Sequence, residues 1–177
     1  MSYERHHADA PRQAGIAVLT VSDSKGPAED QTGDAILEAI ERGGHRPAGR
    51  DWSRDDIDEI RERASELLAS PDADALVVTG GTGVSPRDVT VEALRPHFVK
   101  ELPGFGERFR ALSAETIQSG AILSRATAGL WRLGSHVKPV FLLPGATDAC
   151  RLAVERIINA EVGHLVDVAN GPRHRHG

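Results

Sequence analysis

Residues 73–94 read ADALVVTGGTGVSPRDVTVEAL. The first nine, ADALVVTGG (73–81), are an apolar, β-branched run that stops at glycine, the pattern of a strand buried on both faces. Upstream, Ile57, Ile60, Ala64, Leu67 and Leu68 fall at helical spacing and predict a helix with Ser53 or Arg54 near its start. GIAVLTVSD (15–23) repeats the strand pattern, and SKGPAEDQTG (24–33) reads as a loop. A helix is expected from Asp34 to Arg42, stopped by Gly43-Gly44, followed by a weaker extended segment at 45–52. Downstream, VKPVFLLPG (137–145) is a further strand, and residues 148–160 carry the pattern of a closing helix. Strands alternating with helices imply βαβ units, hence a three-layer α/β/α sandwich with a mostly parallel sheet. Such sheets bind ligands beyond the carboxyl ends of their strands, so the informative residues follow Val21, Val78 and Leu143.

Composition narrows the chemistry. A chain of 177 residues with 40% hydrophobic content suits one domain, placed at 15–168 between an N-terminal tail (1–14) and a C-terminal tail (169–177). The lone cysteine, Cys150, excludes an internal disulfide and reads as a small buried hydrophobe. A net charge of −5, 4% aromatic residues and no basic stripe argue against nucleic-acid binding. No apolar run approaches the ~18 residues of a membrane span, and the polar N-terminus lacks a signal-peptide core, so a cytoplasmic location is expected. His174 and His176 read as part of a solvated tail.

The three strand ends carry the candidate site. Gly80, Gly81 and Gly83 allow a sharp turn whose amides can point at a phosphate, with hydroxyls from Thr79 and Thr82. The motif is neither a P-loop nor a GxGxxG fingerprint, and by itself it fits a phosphate cradle or an ordinary tight turn. Asp88 would repel a phosphate unless a cation lay between them, and carboxylate plus phosphate is how Mg²⁺ is usually held. Alternatively, Asp88 or Thr90 caps a helix beginning near Val91, and Asp55 and Asp56 serve the first turn of another. Taken in isolation, capping explains both pairs.

TGGTGVSPRDVTVEAL closely resembles the signature of the MogA/MoaB family of molybdenum cofactor biosynthesis proteins. The likeness extends over Ser22-Asp23, Asp55-Asp56, Pro103-Gly104-Phe105-Gly106-Glu107, Leu123-Ser124-Arg125-Ala126 and Leu143-Pro144-Gly145, in order across nearly the whole core. Length and the segment LPGATDACRLAVERII favour the MoaB branch. Val91 stands where the family commonly has proline, which bears on the helix start rather than the chemistry.

The resemblance implies adenylyl transfer from ATP to the terminal phosphate of molybdopterin, with release of pyrophosphate. It implies Asp55 and Asp88 as the pair holding Mg²⁺ or orienting the phosphates, and Ser124 as a contact to the transferring or accepting phosphate. The Thr79, Gly80, Gly81, Thr82, Gly83 turn would cradle the nucleotide, while Ser22, Asp23 and the Pro144-Gly145 turn shape the nucleotide and pterin pockets. Arg125 is expected to pair with a phosphate or to form a structural ion pair. The Gly104-Phe105-Gly106 turn fits the pterin pocket or simple packing before a helix around Phe109 and Leu112. A homotrimer or hexamer is implied, with a molybdate-insertion protein as an onward partner. A non-catalytic molybdopterin-binding scaffold of the same family is the alternative, against which the retention of both Asp55 and Asp88 counts.

Overall fold

The computed structural model describes residues 12–24 and 26–171. Six strands, β1 (Gly15–Val21), β2 (Arg46–Ser53), β3 (Ala75–Thr79), β4 (Phe98–Glu101), β5 (Thr127–Leu133) and β6 (His136–Leu143), form one sheet in the order β2-β1-β3-β6-β5-β4. The pairs β2/β1, β1/β3 and β3/β6 are parallel. Strand β5 is antiparallel to both β6 and β4, so it alone runs against the rest. The mostly parallel α/β/α sandwich is the fold observed.

Helices cover both faces, which is why the central strands are continuous apolar runs rather than alternating ones. On one face α1 (Gln31–Arg42), α4 (Pro103–Ile117), α5 (Thr147–Ala153) and α6 (Asn159–Asn170) enclose Ile16, Val18, Val77, Phe141 and Leu143. On the other, α2 (Ile57–Ala69) and α3 (Thr90–Leu94) pack on Ala17, Leu19, Val21, Leu76, Val78 and Leu142. Successive strand residues thus feed opposite cores, as the period of two requires.

Several boundaries differ from the sequence expectations for local reasons. Helix α1 begins at Gln31 rather than Asp34, because the Asp30 carboxylate caps it by accepting from the Gly33 amide at 2.8 Å. Helix α2 is capped by Asp56, which accepts from the Glu59 amide, and not by Ser53 or Arg54. The closing helix runs through a π-helical turn (Val154–Ile158) to Asn170, past the expected boundary at 168. Asn170 is anchored there by donating to the Val137 carbonyl and accepting from its amide, both at 2.9 Å. Arg12 pairs with Asp74 and Asp167, and Ala14 is fully buried, so residues 12–14 belong to the folded body rather than a tail. His174 and His176 lie outside the described residues.

Strands β4 and β5 have no clear signal in the sequence. The four residues of β4 are exposed or half-buried, so no apolar run marks them. Strand β5 takes its form by pairing with β6 across the two-residue turn Gly134-Ser135, where Gly134 has φ of 57°.

The end of β3 is a tight point of the sheet. Gly80 has φ of +99°, and a Cβ there would lie 2.1 Å from the Val21 carbonyl oxygen at the end of β1. The Gly80 amide donates to the Leu143 carbonyl of β6 at 3.0 Å, so three strand ends meet at this residue. Gly80→Ala is expected to destabilise the protein by about 2–4 kcal/mol, roughly 5–15 °C in melting temperature, from backbone clash and strain together. Calorimetry on the purified variant checks this, and an unchanged melting temperature would contradict the packing described.

Candidate active site

Strand β2 lies on one side of β1 and β3 on the other, so the chain reverses its direction across the sheet between them. That reversal opens a crevice beyond the carboxyl ends. A cavity of about 530 Å³ occupies it. From the sequence candidates it is lined by Ser22, Asp23, Asp55, Thr79, Gly80, Gly81, Asp88 and Gly145. The four strands paired in parallel, β2, β1, β3 and β6, therefore contribute their following residues to one place.

The carboxylates are held by backbone. Asp23 and Asp55 are interlocked: the Asp23 amide donates to Asp55 Oδ2 at 3.1 Å, and the Asp55 amide donates to Asp23 Oδ1 at 3.0 Å. Asp88 does not cap α3, whose N-cap is Val89 without a side-chain bond. Instead Asp88 Oδ2 accepts from the Ser85 amide at 2.8 Å, turning the loop back on itself. Nor does Thr90 cap; its hydroxyl donates to the Gly80 carbonyl at 2.8 Å and ties α3 to the turn. Asp56 takes the capping role at α2, which leaves Asp55 to the cavity.

The glycines fit this arrangement. Gly81 has φ of +65°, and a Cβ on it would lie 2.9 Å from Asp55 Oδ1 and 2.3 Å from the Thr90 hydroxyl. A Cβ on Gly83 would lie 2.8 Å from Asp88 Oδ2. The turn thus runs against both carboxylates with no room for a side chain at either point.

Charge in the cavity is unevenly balanced. Burial, and next the neighbouring Asp23 carboxylate, push the Asp55 carboxyl above the ordinary carboxylate range, and Asp88 adds to this. The Arg87 hydrogen bond, followed by that from the Asp55 amide, holds Asp23 below it. For Asp30, which also lines the cavity, burial pushes the carboxyl up. Bonds from Thr20, the Gly33 amide and Arg50 outweigh that and keep it low.

Among the described residues no group of three or more histidine, cysteine or acidic side chains converges as a metal centre. A cation here would meet two protein carboxylates, Asp55 and Asp88, and draw its other ligands from phosphate and water, as Mg²⁺ commonly does. The raised Asp55, crowded by like charges, suits that donor set.

Other candidates lie elsewhere. Thr82 is buried behind the turn, and its carbonyl accepts from the Arg125 amide at 3.0 Å, which packs the Ser124-Arg125 segment along the turn's outer side. Neither Ser124 nor Arg125 lines this cavity. Arg125 is the structural ion pair: it joins Glu92 through two bonds and donates to the Gly83 carbonyl at 2.7 Å and the Asp88 carbonyl at 2.9 Å. Gly83 and Pro144 support the walls through their carbonyls; that of Pro144 accepts from Thr79 Oγ1 at 2.8 Å and Cys150 Sγ at 2.9 Å. Burial pushes the Cys150 thiol up to about 12, so it stays protonated. The Gly104-Phe105-Gly106 turn opens α4, and Phe105 packs on Phe109 and Phe141 in the core.

Thr20, Asp30, Thr32, Ser85 and Arg87 also line the cavity, although no sequence motif marks them as ligands. Arg87, adjoining Asp88 in a loop rich in turn formers, is the one whose position in the sequence offered a hint.

Comparison with known proteins bears on the whole domain. Residues 17–164 match the family described as "Probable molybdopterin binding domain". Molybdenum cofactor biosynthesis protein B of Halalkalibacterium halodurans is 41% identical over 167 residues, covering 94% of this chain and 96% of the relative. A molybdopterin adenylyltransferase of Pyrococcus furiosus is 40% identical over 168 residues, covering 94% and 97%. The crystal structure of the tungsten cofactor synthesizing protein MoaB from Pyrococcus furiosus superposes with a TM-score of 0.83 at 39% identity, over 92% of this chain and all of that one.

The raised Asp55 makes a stability prediction. An acid whose native pKa is raised costs stability once ionised, so the cost is present at neutral pH and vanishes below the ordinary carboxylate range. Asp55→Asn keeps an oxygen for the Asp23 amide and removes the charge. Its melting temperature at pH 7 should equal or exceed that of the wild type by up to about 3 °C, with the gap closing toward about pH 4. A lower melting temperature at pH 7 would show Asp55 to be stabilising.

Proposed function

Because the chain belongs to the MogA/MoaB family of molybdenum cofactor biosynthesis proteins, with molybdopterin as its ligand, we propose that it transfers an adenylyl group from ATP to the terminal phosphate of molybdopterin. The observation that carries this reading is the strand-end cavity, where a glycine-rich turn runs against two backbone-held carboxylates, Asp55 and Asp88.

An oxygen of the molybdopterin phosphate attacks the α-phosphorus of ATP, the bond to the bridging oxygen of the β-phosphate breaks, and pyrophosphate leaves. The nucleophile is already an anion, so no strong general base is needed, and alignment is the protein's main contribution. Asp55 and Asp88 would hold Mg²⁺, which would supply neutralisation of the triphosphate charge. The Thr79 to Gly83 turn accepts the phosphates by leaving space and backbone donors near them; the Gly80 amide is already committed to Leu143, so that share falls to later residues. Ser22, Asp23 and Gly145 shape the walls.

We further propose a trimer-based particle. Ile117, Ile122 and Leu123, at the end of α4 and just after it, are 55%, 78% and 55% exposed, which suits burial against a second copy. Light scattering at micromolar concentration should give the mass of a trimer or hexamer, and a monomer would overturn this.

The reaction is tested by incubating the protein with molybdopterin, ATP and Mg²⁺ and looking for the adenylylated pterin by mass spectrometry. Binding of molybdopterin without that product would favour a scaffold. In Asp88→Asn the amide oxygen can still accept from Ser85, so the melting temperature should change by less than about 2 °C. Turnover should fall about 10²-fold or more. Turnover retained in Asp88→Asn would remove Asp88 from the reaction.

A further inference from the structure

Five acidic side chains line the strand-end cavity, and their partners differ. Asp30 is bonded to Arg50 at 2.8 Å and to Thr20 at 2.7 Å, and Asp88 to the Ser85 amide. The interlocked Asp23 and Asp55 meet one basic side chain by direct bond: Arg87 Nη2 donates to Asp23 Oδ2. Among the described residues lining the cavity, Arg87 is the one basic side chain.

Three properties make this contact exchangeable. The Arg87 side chain is 71% exposed, so little packing fixes it in place. Its partner Asp23 is already held by backbone, so the pair is not required to position the carboxylate. A guanidinium also matches a phosphate at least as well as a carboxylate, because its forked donors engage two oxygens at once.

We propose that Arg87 is a displaceable counter-ion, resting on Asp23 until a divalent cation neutralises the Asp23–Asp55–Asp88 side of the cavity, and then turning to the polyphosphate. The proposal rests on the nucleotide reading above and extends it to the order of charge exchange. Cation and Arg87 compete for the same negative field, since withdrawing Arg87 leaves Asp23 and Asp55 facing each other without their bonded cation. A polyphosphate carried with the cation offers the released guanidinium a new partner. By linkage, the guanidinium opposes a cation arriving alone and favours one arriving with phosphate.

The experiment measures two affinities in the full-length wild type, Arg87→Gln and Arg87→Lys. Mn²⁺ alone is titrated by electron paramagnetic resonance, and Mg²⁺-ATP by calorimetry. Arg87→Gln should bind Mn²⁺ alone about tenfold more tightly, and Mg²⁺-ATP about tenfold more weakly, than wild type. Arg87→Lys should fall between them on both scales. A merely structural role would weaken both. Unchanged or weaker Mn²⁺ binding in Arg87→Gln, including no binding in either protein, overturns the proposal, as does unchanged Mg²⁺-ATP affinity. If Arg87→Gln melts well below wild type, the opposite shifts in Arg87→Lys decide instead. Opposite shifts in the Arg87 variants, with a wild type that makes no adenylylated pterin, would overturn the reaction while keeping the counter-ion. Transfer without the Mn²⁺ gain would do the reverse.

Discussion

At the end of β3 the backbone of Gly80 passes beneath the Val21 carbonyl, leaving no space for a side chain, while its amide is bonded to Leu143 and its carbonyl to the Thr90 hydroxyl. That single residue couples the exits of β1, β3 and β6 to the start of α3. The cavity walls are those same exits, so their spacing is inherited from the sheet rather than from loop packing. Gly81 continues the arrangement, seated against Asp55 and Thr90. The path of the next loop is braced from outside by Arg125, whose bonds to the Gly83 and Asp88 carbonyls and to Glu92 hold the segment that presents Asp88. Within the Leu-Ser-Arg-Ala segment, Arg125 thus braces the loop.

The electrostatic design runs against stability. Burial and like charges raise Asp55, a cost that a fold selected for stability alone would remove by substitution. Asp30 shows how the same protein buries a carboxylate without that cost, by surrounding it with Thr20, the Gly33 amide and Arg50. Two acids in one cavity are thus held in different ways. Asp30 caps a helix and is fully partnered, whereas Asp55 is fixed by backbone and left in a negative field that a cation would offset. Thr79 and Cys150 form a quieter support: both bond the Pro144 carbonyl and hold the turn after β6 beside the glycines.

Local periodicity was enough to read β1, β3, β6 and the helices between them, because strands covered on both faces become unbroken apolar runs and helices repeat at 3.6 residues. The glycine turn after β3 is legible for a related reason, whereas Asp23, Asp55 and Asp88 stand out as candidate site acids through the family resemblance, since locally capping accounts for Asp55 and Asp88. What no local pattern contains is pairing between distant segments. Strands β4 and β5 exist through hydrogen bonds to a neighbour, and β4 buries too little to leave an apolar trace. Asp88 and Asp56 are both acids near a helix start, and only folding shows that one turns its loop while the other caps. The same holds for Arg87 and Arg125, equally plausible phosphate partners by residue type. Tertiary packing commits Arg125 to carbonyls and Glu92 outside the cavity and leaves Arg87 inside it on Asp23, because a side chain's chemistry depends on which groups the fold brings within hydrogen-bonding distance.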